Sequence, residues 1–207
     1  MIKTLKAFII VFVSALIFIS CSKKPTEVVQ EYETAFNSHN VSKLLSLFSN
    51  DASIELSVLN KLKGKDQIKD YFEYDSVLSS NITISDVSES NGSAYFVMSL
   101  RNDILKSIGI NEAKYSMIFK ISDGKIENIT TSTTNETDNK LKEFQKPFML
   151  WAGREKLDIL NEIMPNGNLD FNAENAKKYL SLIFEWKKNN KTSLIKSPVE
   201  KEVSSKM

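Results

Sequence analysis

Two residue types that dominate catalytic and metal chemistry occur once each: His39 is the only histidine and Cys21 the only cysteine. An internal disulfide and a zinc site with several Cys or His ligands are therefore excluded, and neither metal nor cofactor is expected. A Ser-His-Asp triad would have to use His39, and a Cys-His dyad would need Cys21 with His39. The six glycines (64, 92, 109, 124, 153 and 167) form neither a phosphate loop nor a dinucleotide fingerprint. Carboxylates remain. Asp51 just before a strand and Glu55 within it are, with His39, the candidate acid–base groups, a role that needs hydrogen-bond reach to a substrate. The helix break Asn37-Ser38-His39-Asn40 suits a solvated His39, and Asp51 suits a turn before a strand. Arg101 and Asp103 at a strand end either rim a pocket or form a surface pair.

The elements that must position these groups follow from periodicity. The chain has 207 residues, 42% of them hydrophobic and 26% charged, enough for a core. Its formal net charge of +1 gives no reason to expect nucleic-acid binding. Only Arg101 and Arg154 are arginine, so bidentate phosphate clamps are scarce. Residues 1–20 read as an address: Lys3 and Lys6, an apolar run from Ala7 to Ile19, then Ser20 before Cys21. Cys21 at the cut resembles a bacterial lipobox, which implies a palmitate-type acyl anchor on that cysteine. The expectation is an envelope lipoprotein, with outer-membrane placement favoured by Ser22 following the cysteine. Its acyl chains hold it on a membrane at about 0.8 kcal/mol per buried methylene.

After a tether at 21–25, two amphipathic helices precede a strand at 52–58, and a third helix covers 64–74. Alternating strands follow at 81–87, 94–101, 114–121 and 125–131, with turns at Asn91-Gly92 and Asp123-Gly124. Helices first and hairpins after predict an α+β fold, with helices gathered on one face of an antiparallel sheet. A helical extension is expected at 138–188, kinked or split by Pro147, and a loose lysine-rich tail at 189–207.

Within the domain at 26–134, three stretches carry a resemblance. They are Tyr32-x-x-Ala35-Phe36-Asn37-x-His39-Asn40, Leu44-Leu45-x-Leu47-Phe48-x-Asn50-Asp51-Ala52, and Lys65-Asp66-x-Ile68-x-x-Tyr71-Phe72, followed by the hairpin from Phe119 to Ile129. In order and spacing they resemble the nuclear transport factor 2-like superfamily, including its SnoaL-like branch. The resemblance implies a cone-shaped cup: a curved antiparallel sheet wrapped round the N-terminal helices, with a pocket at its open end. It also implies that isomerase-like members hold an Asp where this chain has Leu56. Glu55 is adjacent, but one step along a strand points to the opposite face.

The cup is therefore expected to be non-catalytic, binding a small apolar ligand or an envelope protein, with homodimers compatible and nucleic acid excluded. Tyr32, Phe36, Phe72, Phe96, Met98, Tyr115 and Met117 are the expected lining, with Tyr32 and Tyr115 orienting the ligand. One alternative is a SnoaL-like isomerase, cyclase or hydrolase for a small apolar substrate using Asp51, Glu55 or His39. Another is a structural envelope protein acting through its C-terminal helices.

Overall fold

The computed structural model describes residues 23–56 and 61–195. The lipobox cysteine, the expected signal and the end of the tail lie outside these residues, as does Val58 of the expected first strand. In chain order the elements are α1 (Pro25–Asn37), α2 (Val41–Ser46), β1 (Phe48–Glu55), β2 (Lys61–Lys63), α3 (Gly64–Val77), β3 (Asn81–Ser90), β4 (Ser93–Arg101), α4 (Asp103–Ser107), β5 (Ala113–Ser122) and β6 (Lys125–Thr133). Then come α5 (Asn135–Glu155), α6 (Leu157–Ile163), a 3-10 turn at Pro165–Gly167, and α7 (Ala173–Ile195). The fold is α+β, as the patterning predicts.

The six strands form one open sheet in the order β2-β1-β6-β5-β4-β3. Four of the five pairings are antiparallel, but β1 runs parallel to β6, so the sheet is mixed rather than wholly antiparallel. Hairpins force antiparallel neighbours. β1 and β6 are joined only through everything between them, and nothing local fixes their relative direction.

That parallel pair also explains a boundary that differs from the sequence reading. Leu47 and Phe48 carry helical spacing, yet Leu47 caps α2 and Phe48 opens β1. The Ile126 amide donates to the Leu47 carbonyl at 2.8 Å, and Phe48 stands opposite Ile126. Sheet pairing with a fully buried Phe48 overrides local propensity here.

Curvature comes from irregularities in the ladders. The β3–β4 register shifts between Ser85 and Ser88, where Asp86 has φ +56°, and the β5–β6 register shifts at Lys120/Ile121. Both expected turns use left-handed backbone: Asn91-Gly92 and Asp123-Gly124 have φ between +49° and +74°. The concave face buries Ala94, Phe96 and Met98 of β4 and Met117, Phe119 and Ile121 of β5, and α1 and α3 fill it. At the β3 edge, α1 closes the sheet with side chains. Asn37 exchanges two hydrogen bonds with the Ile82 backbone (2.8 and 2.9 Å), and Glu33 accepts the Ile84 amide at 2.9 Å.

The extension has its own core, of Phe148, Trp151, Ala152, Leu160, Ile163, Leu182 and Ile183. Its first part divides into two helices, α5 and α6, but at Lys156 (φ −143°) rather than at Pro147, which sits inside α5. No helix among the described residues is long and apolar enough to cross a membrane.

Candidate active site

On α3, Ile68, Tyr71, Phe72 and Asp75 recur at spacings of three and four, so one helical face carries all of them. Three are the apolar or aromatic residues such a stripe demands. The fourth is a carboxylate, and it is 7% exposed. The turn after α3 brings back Ser80, fully buried, whose hydroxyl donates to Asp75 Oδ1 at 2.8 Å while its amide donates to the Asp75 carbonyl. Asp75 Oδ2 is buried with no hydrogen-bond partner. The Tyr71 hydroxyl stands beside the carboxyl, short of full hydrogen-bond geometry.

Burial dominates the chemistry of this carboxyl. Loss of solvent pushes its pKa from 3.8 up to about 6, against the Ser80 hydrogen bond and the Tyr71 hydroxyl, which both favour the charged form. The tyrosines around it move the same way. Burial first, and the neighbouring Asp75 charge second, raise Tyr32 and Tyr71 far above the ordinary phenol range and Tyr115 to about 12. At neutral pH they are hydroxyl donors facing a carboxyl that titrates near neutrality.

Asp75 lines a cavity of about 290 Å³ between the cup and the extension. The cup contributes Tyr32 and Phe36 from α1, Ile54 and Leu56 from the first strand and its end, Met98 from β4, and Tyr115 and Met117 from β5. The extension supplies the facing wall with Leu141, Phe144 and Gln145 of α5, Phe171, and Tyr179 of α7. On the α5 side Asp138 and Lys142 pair with each other at 2.5 Å and also line the space.

Of the seven expected lining residues, Tyr32, Phe36, Met98, Tyr115 and Met117 line this cavity. Phe72 and Phe96 do not, because core rings enclose them. Phe72 sits against Tyr32, Phe36 and Phe48, and Phe96 against Phe119. The three expected acid–base groups all lie elsewhere. His39 is exposed in the α1–α2 turn with φ +51°, Asp51 is exposed on β1, and Glu55 pairs with Lys61 on the neighbouring strand. Leu56 lines the cavity, and Glu55 points away from it, as strand alternation requires. Arg101 lies outside the lining and pairs with Glu112 at 3.7 Å, while its neighbour Asn102 lines the cavity.

The hollow therefore does contain a buried ionisable carboxyl, where the family pattern at Leu56 led to the expectation of none. The sequence reading missed Asp75, whose only signal is its place as the one carboxylate on an otherwise apolar stripe, one residue beyond the expected end of the helix. No group of three or more metal-type ligands occurs among the described residues.

The chain matches the model of the SnoaL-like domain over residues 29–129. None of the curated proteins compared with it matches significantly. Similar solved structures include a nuclear transport factor 2-like protein of unknown function from Cytophaga hutchinsonii (10% identity, TM-score 0.46, covering 55% of this chain and 92% of that one). Another is the epoxide hydrolase/cyclase-like enzyme SalBIII of pyran ring formation in salinomycin (19% identity, TM-score 0.49, covering 55% and 92%). A third, from Catenulispora acidiphila, has a ketosteroid isomerase-like fold and was solved in complex with trimethylamine (14% identity, TM-score 0.46, covering 56% and 90%). The domain at residues 29–129 belongs to the SnoaL-like family of the nuclear transport factor 2-like superfamily.

Proposed function

We propose that this protein is an envelope lipoprotein whose cup moves a proton on a small, largely apolar carbonyl compound, with Asp75 as the base. The observation that carries this reading is the buried Asp75 carboxyl in an apolar cavity, with Oδ1 held by Ser80 and Oδ2 unpartnered. Its pKa of about 6 leaves it mostly ionised at neutral pH, yet close enough to return a proton readily. The C–H next to the carbonyl would give its proton to Oδ2. Its electron pair would shift onto the carbonyl oxygen, which the neutral hydroxyls of Tyr115, Tyr32 or Tyr71 would meet as donors. In a β,γ-unsaturated compound, return of that proton from Asp75 to the γ-carbon of the dienolate completes an isomerisation; in a dicarbonyl, attack of the enolate carbon on the second carbonyl turns that carbonyl into an alkoxide, which takes the proton back from Asp75 and completes a ring closure. Neither route needs a redox partner. Anchoring is supported by the sequence alone: the basic start, the apolar run and Cys21.

The test is hydrogen–deuterium exchange at the α-carbon of straight-chain and cyclic ketones in D₂O, followed by NMR. Wild type should exchange faster than buffer, with a rate that climbs with pH through about 6 and then levels, because the base must be ionised. Asp75→Asn should lower the rate by about 10²- to 10⁴-fold, and Tyr115→Phe by roughly 10²-fold if it faces the oxyanion. A wild-type protein that binds ketones yet exchanges no faster than Asp75→Asn overturns the catalytic reading and leaves a binding cup.

A further inference from the structure

The stretch matched to the SnoaL-like family ends at residue 129, but the cavity does not end with it. Its outer wall is built from residues between Asp138 and Tyr179, in the helices and the connecting loop that follow the domain. Two aromatic residues of this roof stand out.

Phe144 lines the cavity while its ring is held from behind. It stacks on Phe148 at 5.1 Å and meets Trp186 edge-on at 5.5 Å. Phe148 is fully buried and braced in turn by Trp151 and Tyr179. A half-buried ring backed by a fully buried one resists displacement by a longer ligand. Phe171 has a different task. It packs edge-on against both Tyr71 and Tyr74, each at 5.2 Å, and so roofs the helical face that carries Asp75.

We propose that the helical extension is part of the active site, with Phe144 setting the length of substrate the cup accepts and Phe171 positioning Tyr71 at the Asp75 carboxyl and keeping water from it. This rests on the catalytic reading of the cup for its substrate class. The structural role of the roof stands apart from that class.

Two measurements on the full-length folded protein decide it. The first is affinity for a ladder of methyl ketones differing by one methylene, read by calorimetry on wild type, Phe144→Ala and Phe144→Leu. While chain length fits, each methylene adds about fourfold in affinity, the equivalent of about 0.8 kcal/mol. Wild type should reach a sharp maximum and then lose affinity. Phe144→Ala should move that maximum to longer ketones by several methylenes, with Phe144→Leu in between. A maximum unmoved in both variants overturns the specificity role.

The second measurement is the carbon-13 titration of the Asp75 carboxyl without ligand. The groups facing it are Tyr32 of α1, Tyr71 and Tyr74 of its own helix, and Tyr115 of β5. Asp138 and Lys142 of α5 line the same cavity. Phe171→Ala should let water in and lower the midpoint towards the ordinary carboxylate range, while Phe171→Leu should hold it near the wild-type value. A midpoint unchanged in Phe171→Ala overturns the roof's role at Asp75. If wild type binds none of the ketones, the substrate reading fails, and this titration alone then judges the roof.

Discussion

The cup and its roof both bury aromatic rings, but they assemble them in different ways. In the cup, Tyr32 is the centre of a network that reaches Phe36 on its own helix, Phe48 on β1, Phe72 on α3 and Phe119 on β5, at centroid distances of 5.0 to 6.5 Å. Its members come from elements spread over most of the domain. In the roof, Phe144, Phe148 and Trp151 of α5 meet Tyr179 and Trp186 of α7, so two helices supply every ring of this cluster. Ile104 and Leu169 pack against both cores. The cup thus builds the aromatic surroundings of its carboxyl from long-range contacts that hold only when the whole sheet is formed. The roof contributes shape and dryness through contacts that two helices make with each other.

The largest expected effect separates the two directly. Phe119 and Phe148 are both fully buried, and truncating either to Ala should cost about 3–5 kcal/mol. Phe119→Ala should lower the stability of the sheet and the roof together. Phe148→Ala should spend its cost in the roof, so amide protection of α5 and α7 falls while β4–β6 stay close to wild type. Equal loss of protection in both regions after Phe148→Ala would show a single cooperative unit and erase the distinction.

A smaller effect concerns the charge inside the cup, and its sign runs against intuition. The Asp75 carboxyl binds its proton more tightly in the folded protein (pKa about 6) than in the unfolded chain, near 3.8. Its contribution to stability is therefore fully present below about pH 4 and is lost as pH rises through about 6. Asp75→Asn should stabilise the protein at pH 8 by something on the order of 2–3 kcal/mol, with the Ser80 hydroxyl still able to donate to the new amide oxygen. The variant should also lose the wild type's gain in stability between pH 7 and pH 5. Urea titrations across that range read both effects. A destabilised variant would mean that the carboxylate is held for structure, not kept ready for chemistry.

Much of the cup was legible because its signals are local. Alternation along 94–101 and 114–121 put the correct side chains inward, the Asp123-Gly124 turn fixed a hairpin, and the Ile54-Glu55-Leu56 order showed that Glu55 could not enter the pocket. The β1 start was not legible, since Phe48 carries helical spacing and only its partner Ile126, far along the chain, decides otherwise. Asp75 was missed for a related reason. Its place on the apolar stripe of α3 is visible in the sequence, but a carboxylate near a helix end reads as solvated until Ser80, Tyr115 and Phe171 are seen to enclose it. The roof was legible only in outline: its aromatic residues suit packing against the sheet or capping the mouth of the cup, or else a partner surface, and nothing local says that Phe144, Phe171 and Tyr179 are the ones that face the cavity.

The smallest effect tests whether the roof's grip on Asp75 passes through the start of α7. Two asparagines cap helices in the same way, one in each region. Asn40 accepts the Lys43 amide at 2.9 Å in the cup, and Asn172 accepts the Asn175 amide at 2.8 Å in the extension. Replacing either with Ala should cost about 1 kcal/mol. Their consequences should differ, because Asn172 follows Phe171 directly and belongs to a knot in which the buried Asn175 donates to the Asp170 carbonyl at 2.9 Å. Loosening that knot frees the Phe171 ring to leave Tyr71 part of the time, so water should reach the carboxyl more often. Asn172→Ala should therefore lower amide protection in the first turns of α7 and shift the Asp75 midpoint downward by a fraction of the Phe171→Ala effect. Asn40→Ala should lose similar stability without moving the midpoint, because its helix end is exposed and remote from the cavity lining. Equal midpoints in the two capping variants would mean that the cup holds its charge without help from the roof.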